Sequence, residues 1–128
     1  MSFETALRAR LKADAAFAAA TVEWDERPEA SAYPAVVLET IAGQRDQTFR
    51  GLQQTNRDRI QFNVFAMDKA TAVALREAVI AIITTPVIVA GIEFQRGSLV
   101  MHRSDTDSTD DGTVRIEIVD AYLWHAAV

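Results

Sequence analysis

At 128 residues, with a formal net charge of -5 and a pI near 4.9, the chain is sized for a single domain, 1-128, around one core. It lacks the basic balance expected of a tight or sequence-specific DNA binder, and with no cysteine it excludes disulfide frameworks, thiolate zinc sites and cysteine nucleophiles. Its apolar runs are broken by Arg76, Glu77 and Pro86 before reaching the ~20 residues of a membrane span, and MSFETALRARLK carries charges where a signal peptide keeps its apolar centre; an intracellular soluble protein without membrane contact is expected.

Ser2 is a candidate N-cap, with Glu4 in the first turn where the helix dipole favours negative charge. Phe3, Leu7 and Leu11 then fall on one helical face, leaving Arg8, Arg10 and Lys12 as an expected solvated face. Asp14 is placed to cap a short continuation through Phe17. TVEWDERPEASAYP reads as a short edge strand at Val22 to Trp24 followed by a loop.

Pro34 opens a strand in which Val36 and Leu38 oppose Val37 and Ile41, so both of its faces are expected to be covered. The polar stretch GQRDQTFRGLQQTNRD reads as a long hairpin connection. RIQFNVFA alternates, with Ile60, Phe62 and Val64 inward and Gln61 and Asn63 outward. Asp68 is an N-cap candidate for a central helix over about residues 68-84, whose buried stripe is Leu75, Val79, Ile82 and Ile83; Thr84, Thr85 and Pro86 end it. Ile92 and Phe94, then Leu99 and Met101, change phase, which predicts a bulge centred on Gly97. In TVRIEIVDAYLWHA, Val114, Ile116 and Ile118 oppose Arg115 and Glu117, and beyond them Val119, Ala121 and Leu123 make the second face apolar. Asp120 is the misfit: either an acid available for chemistry or, more plainly, a carboxylate bonded to a neighbouring strand, loop or subunit. Together these elements predict an α+β fold, a mainly antiparallel sheet packed by an N-terminal helix and the central helix.

The stretch SDTDSTDDG, residues 104 to 112, holds four aspartates in nine positions. Aligned to a calcium loop, Asp107, Thr109 and Asp111 take ligand positions and Gly112 the sharp turn, but Ile118 stands where the bidentate glutamate belongs, and strand patterns flank the loop. A hairpin loop in which Asp and Gly supply turn geometry is expected, with no metal and no cofactor. His102 and His125, the only histidines, are expected more than ~30 Å apart at ~3.3 Å per residue. His102, Ser104 and Asp105 imitate a catalytic triad without the surrounding nucleophile elbow, so no catalytic residues are assigned. Arg45, Phe49, Arg50, Arg57 and Arg59 interleave bases with an aromatic; diluted by Gln and Asp, they suit partner contact better than nucleic acid.

The joint order of ETALRARLKADAAFA, YPAVVLE, RIQFNVFAMDKATAVALREAV and the closing AYLWH resembles the small tail-completion, or tail terminator, proteins of long-tailed bacteriophages and phage-derived gene transfer agents. The resemblance spans nearly the whole chain and implies an α+β fold with a curved sheet packed by helices. It implies a structural protein rather than an enzyme, assembled in the bacterial cytoplasm into a ring, commonly a hexamer, that caps the tail tube, meets a tail tube protein and a head-tail connector protein, and leaves a passage for DNA in transit. It implies ring contacts or lumen lining on residues 43 to 57 and 104 to 112: Arg45, Phe49, Arg50 and Arg57 as oligomer or partner contacts, and Asp105, Asp107, Asp110 and Asp111 as an acidic loop facing the lumen or a partner. A second class stays open, a small intracellular α+β binding domain for a low-molecular-weight ligand, which a defined apolar pocket in the monomer would favour.

Overall fold

The computed structural model describes residues 2–29, 32–48, 51–109 and 112–128. Helix α1 (Phe3–Ala13) starts where the Ser2 hydroxyl accepts from the Thr5 amide at 3.2 Å, and it buries Phe3, Ala6, Leu7 and Leu11. Asp14 then caps a single 3-10 turn, Ala15–Phe17, accepting from the Ala16 amide at 2.9 Å. Strand β1 (Thr21–Trp24) runs parallel to the start of β2 (Ala35–Thr48), and β2 turns back antiparallel into β3 (Gly51–Ala66). Helix α2 (Lys69–Ile83) begins at Asp68, whose carboxylate accepts from the Thr71 amide at 2.9 Å. The short strands β4 (Val87–Val89) and β5 (Ile92–Phe94), then β6 (Ser98–Thr109) and β7 (Gly112–Ala127), complete the sheet.

The strand order is β1-β2-β3-β7-β5-β4, with β6 paired to β7 beyond the end of β5. All of these pairings except β1 with β2 are antiparallel, and the sheet curls into a half-barrel under the two helices. The main core lies between helices and sheet: Leu7, Leu11, Phe17, Leu38, Ile60, Phe62, Val64, Leu75, Val79, Ile83, Phe94 and Val119 are buried there. A smaller cluster of Val37, Phe65 and Val114 packs with Tyr33 and Ile116. Direct cross-strand partners share a face, so the pairs Phe62 with Val119 and Phe65 with Ile116 assign the first to the helix side and the second to the helix-free side.

Several expectations are corrected. Arg8 and Arg10 are only partly solvated: Arg8 donates to the Val22 carbonyl at 2.8 Å and pairs with Glu23, while Arg10 donates to the Ile82 and Thr85 carbonyls at the end of α2. Carbonyls at and just past a helix C-terminus have acceptor capacity left over, and a guanidinium takes it up. Ile41 is exposed because the β2–β3 register shifts between Thr40 and Ala42, turning it out of the alternation. Ile82 is only partly buried. The polar stretch read as a connection is strand on both sides, and Asn63, although on the helix-free face, is buried.

Gly97 does not centre a bulge. It lies in a break, Gln95 to Gly97, between β5 and β6; the register shift falls between Leu99 and Met101, which are both exposed. Its amide donates to the Ile83 carbonyl at 2.8 Å, and a Cβ there would sit 2.5 Å from that oxygen. Only glycine lets the chain pass so close beneath the end of α2.

Candidate assembly surfaces

Two hairpins lie at diagonally opposite corners of the sheet. In the β2–β3 ribbon the ladder runs from Ala35 opposite Phe65 to Thr48 opposite Gly51, but β7 partners β3 only from Asn56 onward. The far part of this ribbon therefore lies beyond the end of β7. Its polar sequence is compatible with that position, since a ladder is held by backbone bonds.

Arg45 and Arg57 are brought to the base of this ribbon on opposite faces. Arg57 bonds Gln44, and its guanidinium lies 5.2 Å from the Tyr122 ring centroid; Arg59 lies 5.9 Å from the same ring. Tyr122 in turn meets Trp124 at 6.3 Å, so the closing aromatic pair forms a platform for cations on the helix-free face. Arg59 makes two bonds to the Asp120 carboxylate, at 2.9 and 2.5 Å, and chiefly this contact raises its pKa above the ordinary arginine value. Asp120 is thus the strand-to-strand carboxylate of the plainer expectation, a bidentate partner fixing β7 to β3.

Arg45, opposite Asn56, is exposed at a cleft of about 580 Å³ that also meets Ser2, Gly43, Asp58 and His125. Inside it, His125 Nε2 lies 2.5 Å from Asp58 Oδ2, and the imidazole stacks on Phe3 with centroids 3.7 Å apart. The ring of His125 thus packs against Phe3 of α1 while its Nε2 meets Asp58 of β3. Phe49 and Arg50 lie outside the described residues.

The acidic stretch is mostly strand: β6 continues to Thr109 and β7 opens at Gly112, while Asp110 and Asp111 lie outside the described residues. Asp107 pairs with Arg27 at 3.2 Å, and Arg27 also donates to the Tyr33 hydroxyl and lies 4.6 Å from the Phe65 ring centroid. The Tyr33 bond, then that to Asp107, raises the Arg27 pKa. The residue that would lead a calcium loop therefore already neutralises an arginine. Asp105 is exposed and accepts from the Thr106 amide at 2.8 Å. Among the described residues no three of His, Cys, Asp or Glu are grouped to hold a metal.

The tighter hairpin also revises the histidine spacing. His102 pairs with Val119, so His125 is six residues further along, ~20 Å at ~3.3 Å per residue. Ser104 donates to Glu117 at 2.5 Å, so its hydroxyl serves a carboxylate rather than a triad. Glu117 is buried on the helix side beneath Arg76 of α2, 3.5 Å away. Sequence position carried the signal, because Glu117 shares the parity of Val119, Ala121 and Leu123. A second cleft, of about 520 Å³, lies where Ala9, Ala13, Ile82, Val87 and Val89 meet Arg10.

The family model described as Tail completion protein gp17 matches residues 5–119. No curated protein matches the chain. Among solved structures, a chain of the "Virion of native gene transfer agent (GTA) particle" is 17% identical, covering 98% of this chain and 96% of that one at a TM-score of 0.68. A second solved chain is 16% identical over 95% of this chain and 89% of its own length, at a TM-score of 0.53. These two likenesses are likenesses of fold.

Proposed function

Because the chain belongs to the tail completion protein family, we propose that its structural role in a phage-type tail is to form a closed ring of six copies that caps the finished tail tube, joins it to the head and leaves an axial passage for DNA. The family match over residues 5–119 carries this reading, and a fold shared along nearly the whole length with a gene transfer agent virion chain supports it. The work is assembly rather than turnover. The partners are further copies of the chain, a tail tube protein and a head-tail connector protein, with assembly in the bacterial cytoplasm and residence in the finished particle. Arg45, Phe49, Arg50 and Arg57 supply contacts to a copy or partner; Asp105, Asp107, Asp110 and Asp111 face a copy, a partner or the lumen. A net charge of -5 suits a conduit, since a duplex that must slide is not held by many phosphate contacts.

Mixing the protein with tail tubes tests this reading by negative-stain imaging and light scattering. A ring seated at one tube end is the expected outcome. A protein that stays monomeric at high concentration and leaves the tubes bare overturns it. The apolar cleft between α1, α2 and β4 favours a second reading, a binding domain for a small apolar ligand; stabilisation by such a ligand together with bare tubes would select it.

A further inference from the structure

Resting on the ligand-binding reading of the cleft between α1, α2 and β4, and deepening it, we infer that the ligand is an aliphatic monocarboxylate whose head group meets the Arg10 guanidinium while its tail lies along Ala9, Ala13, Ile82, Val87 and Val89. Charge comes first. The half-buried Arg8, Arg59 and Arg76 each face a carboxylate within the chain. Arg10, also half-buried, is held only by the Ile82 and Thr85 carbonyls and by the ring of Phe94, 5.3 Å from its centroid. Burial lowers its pKa, and no carboxylate offsets the shift. The C-terminal end of α2 offers the equivalent of roughly half a negative charge. Part of a cation already withdrawn from water is therefore left to be neutralised.

The donors come next. Both carbonyl bonds are made through Nη2, which leaves the Nε and Nη1 hydrogens without an acceptor among the described residues. No buried side-chain nitrogen among those residues lacks a partner, so these two groups reach open space, and Arg10 lines the cleft. A guanidinium with spare N–H groups suits an oxygen anion, because charge and hydrogen bonds then act together.

The walls set the rest of the ligand. Apart from Arg10, the cleft is lined by alanine, isoleucine and valine side chains and by two polar residues, Asp14 and Thr85. Asp14 accepts from the Ala16 amide at 2.9 Å and Thr85 donates to the Ala81 carbonyl at 2.8 Å, so both are engaged within the chain. A ligand therefore meets one cation with donors to spare and an otherwise apolar surface. The Asp14 carboxylate disfavours a second negative charge beside it, which selects a monocarboxylate over phosphates and dicarboxylates. At about 520 Å³ the cleft falls within the roughly 300 to 1,000 Å³ usual for ligand sites, room enough for an aliphatic chain.

Titration of the full chain with straight-chain carboxylates from hexanoate to decanoate, with their neutral amides and with acetate tests the assignment. Expected is binding of the longer carboxylates about tenfold or more tighter than of the matching amides, the worth of one charge-assisted hydrogen bond, with acetate weaker still for want of a tail. Arg10→Met should bring each carboxylate to the level of its amide, and Arg10→Lys should keep part of the preference. Because Arg10 also holds the end of α2, a second variant leaves it in place: Ala13→Leu, at an exposed position in the cleft wall, should keep the denaturation midpoint and remove carboxylate binding by filling the space of the tail. Amides bound as tightly as the carboxylates would overturn the inference while leaving the ligand-binding reading intact. Carboxylate binding undiminished in Ala13→Leu would overturn it by placing the ligand elsewhere on the molecule. Absence of binding by carboxylates and amides alike would overturn both.

Discussion

On the helix side of the central strands, Ile60, Phe62 and Val64 of β3 meet Val119 and Ala121 of β7 with no exposed surface. On the helix-free side the same two strands present Arg59, Gln61, Asn63, Asp120 and Tyr122, with Phe65 and Val114 in a small apolar cluster at one end. One side is stabilised by excluded water and dispersion, the other by directional bonds that a neighbouring molecule could extend or replace. Stability should therefore concentrate on the first side and assembly on the second.

The sharpest way to break this contrast is to truncate one aromatic on each side of β3. Phe62→Ala should cost about 3 to 5 kcal/mol by chemical denaturation, the usual range for deleting a buried phenyl ring, with Phe65→Ala costing less because its cluster is smaller. Equal losses would show that the helix-free side is a core in its own right. Next in size, Leu75→Ala on the buried face of α2 should cost about 2 to 5 kcal/mol, while Lys69→Ala on its exposed side leaves the midpoint unchanged; matching midpoints for Leu75→Ala and the parent would refute the packing of α2.

A smaller loss is expected where the helix side admits charge. Arg76→Met leaves the buried Glu117 with Ser104 alone, an expense of about 1 to 3 kcal/mol. Combining it with Glu117→Met should recover most of the loss, because apolar groups can replace a buried ion pair at little net cost. A double variant less stable than Arg76→Met would show that the pair stabilises the sheet beyond its own desolvation.

The smallest effect concerns the cap of α2. The Thr71 amide, and after it the Thr71 hydroxyl, lower the Asp68 pKa below 3.8. A carboxylate depressed on folding contributes stability that is fully present above its unfolded value and lost as pH falls through the folded one. The stability gap between parent and Asp68→Ala should therefore be flat at neutral pH and narrow only below about pH 4. A gap that stays constant into strong acid would assign the effect to helix propensity rather than to the charged cap.

Features written in short-range periodicity were legible in the sequence. The stripe Phe3, Leu7, Leu11, the alternation Ile60, Phe62, Val64 and the caps at Ser2, Asp14 and Asp68 each depend on residues within a few positions of one another. What escaped depends on distant partners. Arg10 looks solvent-facing until the end of α2 supplies carbonyls for it, and Gly97 looks like a bulge until Ile83 passes overhead. The stretch 43 to 58 reads as a connection because neither of its faces is apolar, although the backbone ladder makes residues 43–48 and 51–58 strand. Of the candidate contacts, Arg45 and Arg57 were singled out together, yet the pleat divides them between two faces; the pairing of Arg59 with Asp120 needed the β3–β7 register, which no local pattern encodes.

Strand β3 is one uninterrupted element from Gly51 in the outer ribbon to Ala66, two residues before the cap of α2. A pull on the ribbon along the strand axis would load its ladders with β2 and β7 in shear, where many backbone bonds resist at once. A pull across the sheet would open the same ladders one rung at a time. The protein is therefore mechanically anisotropic, stiff along its strands and weaker across them.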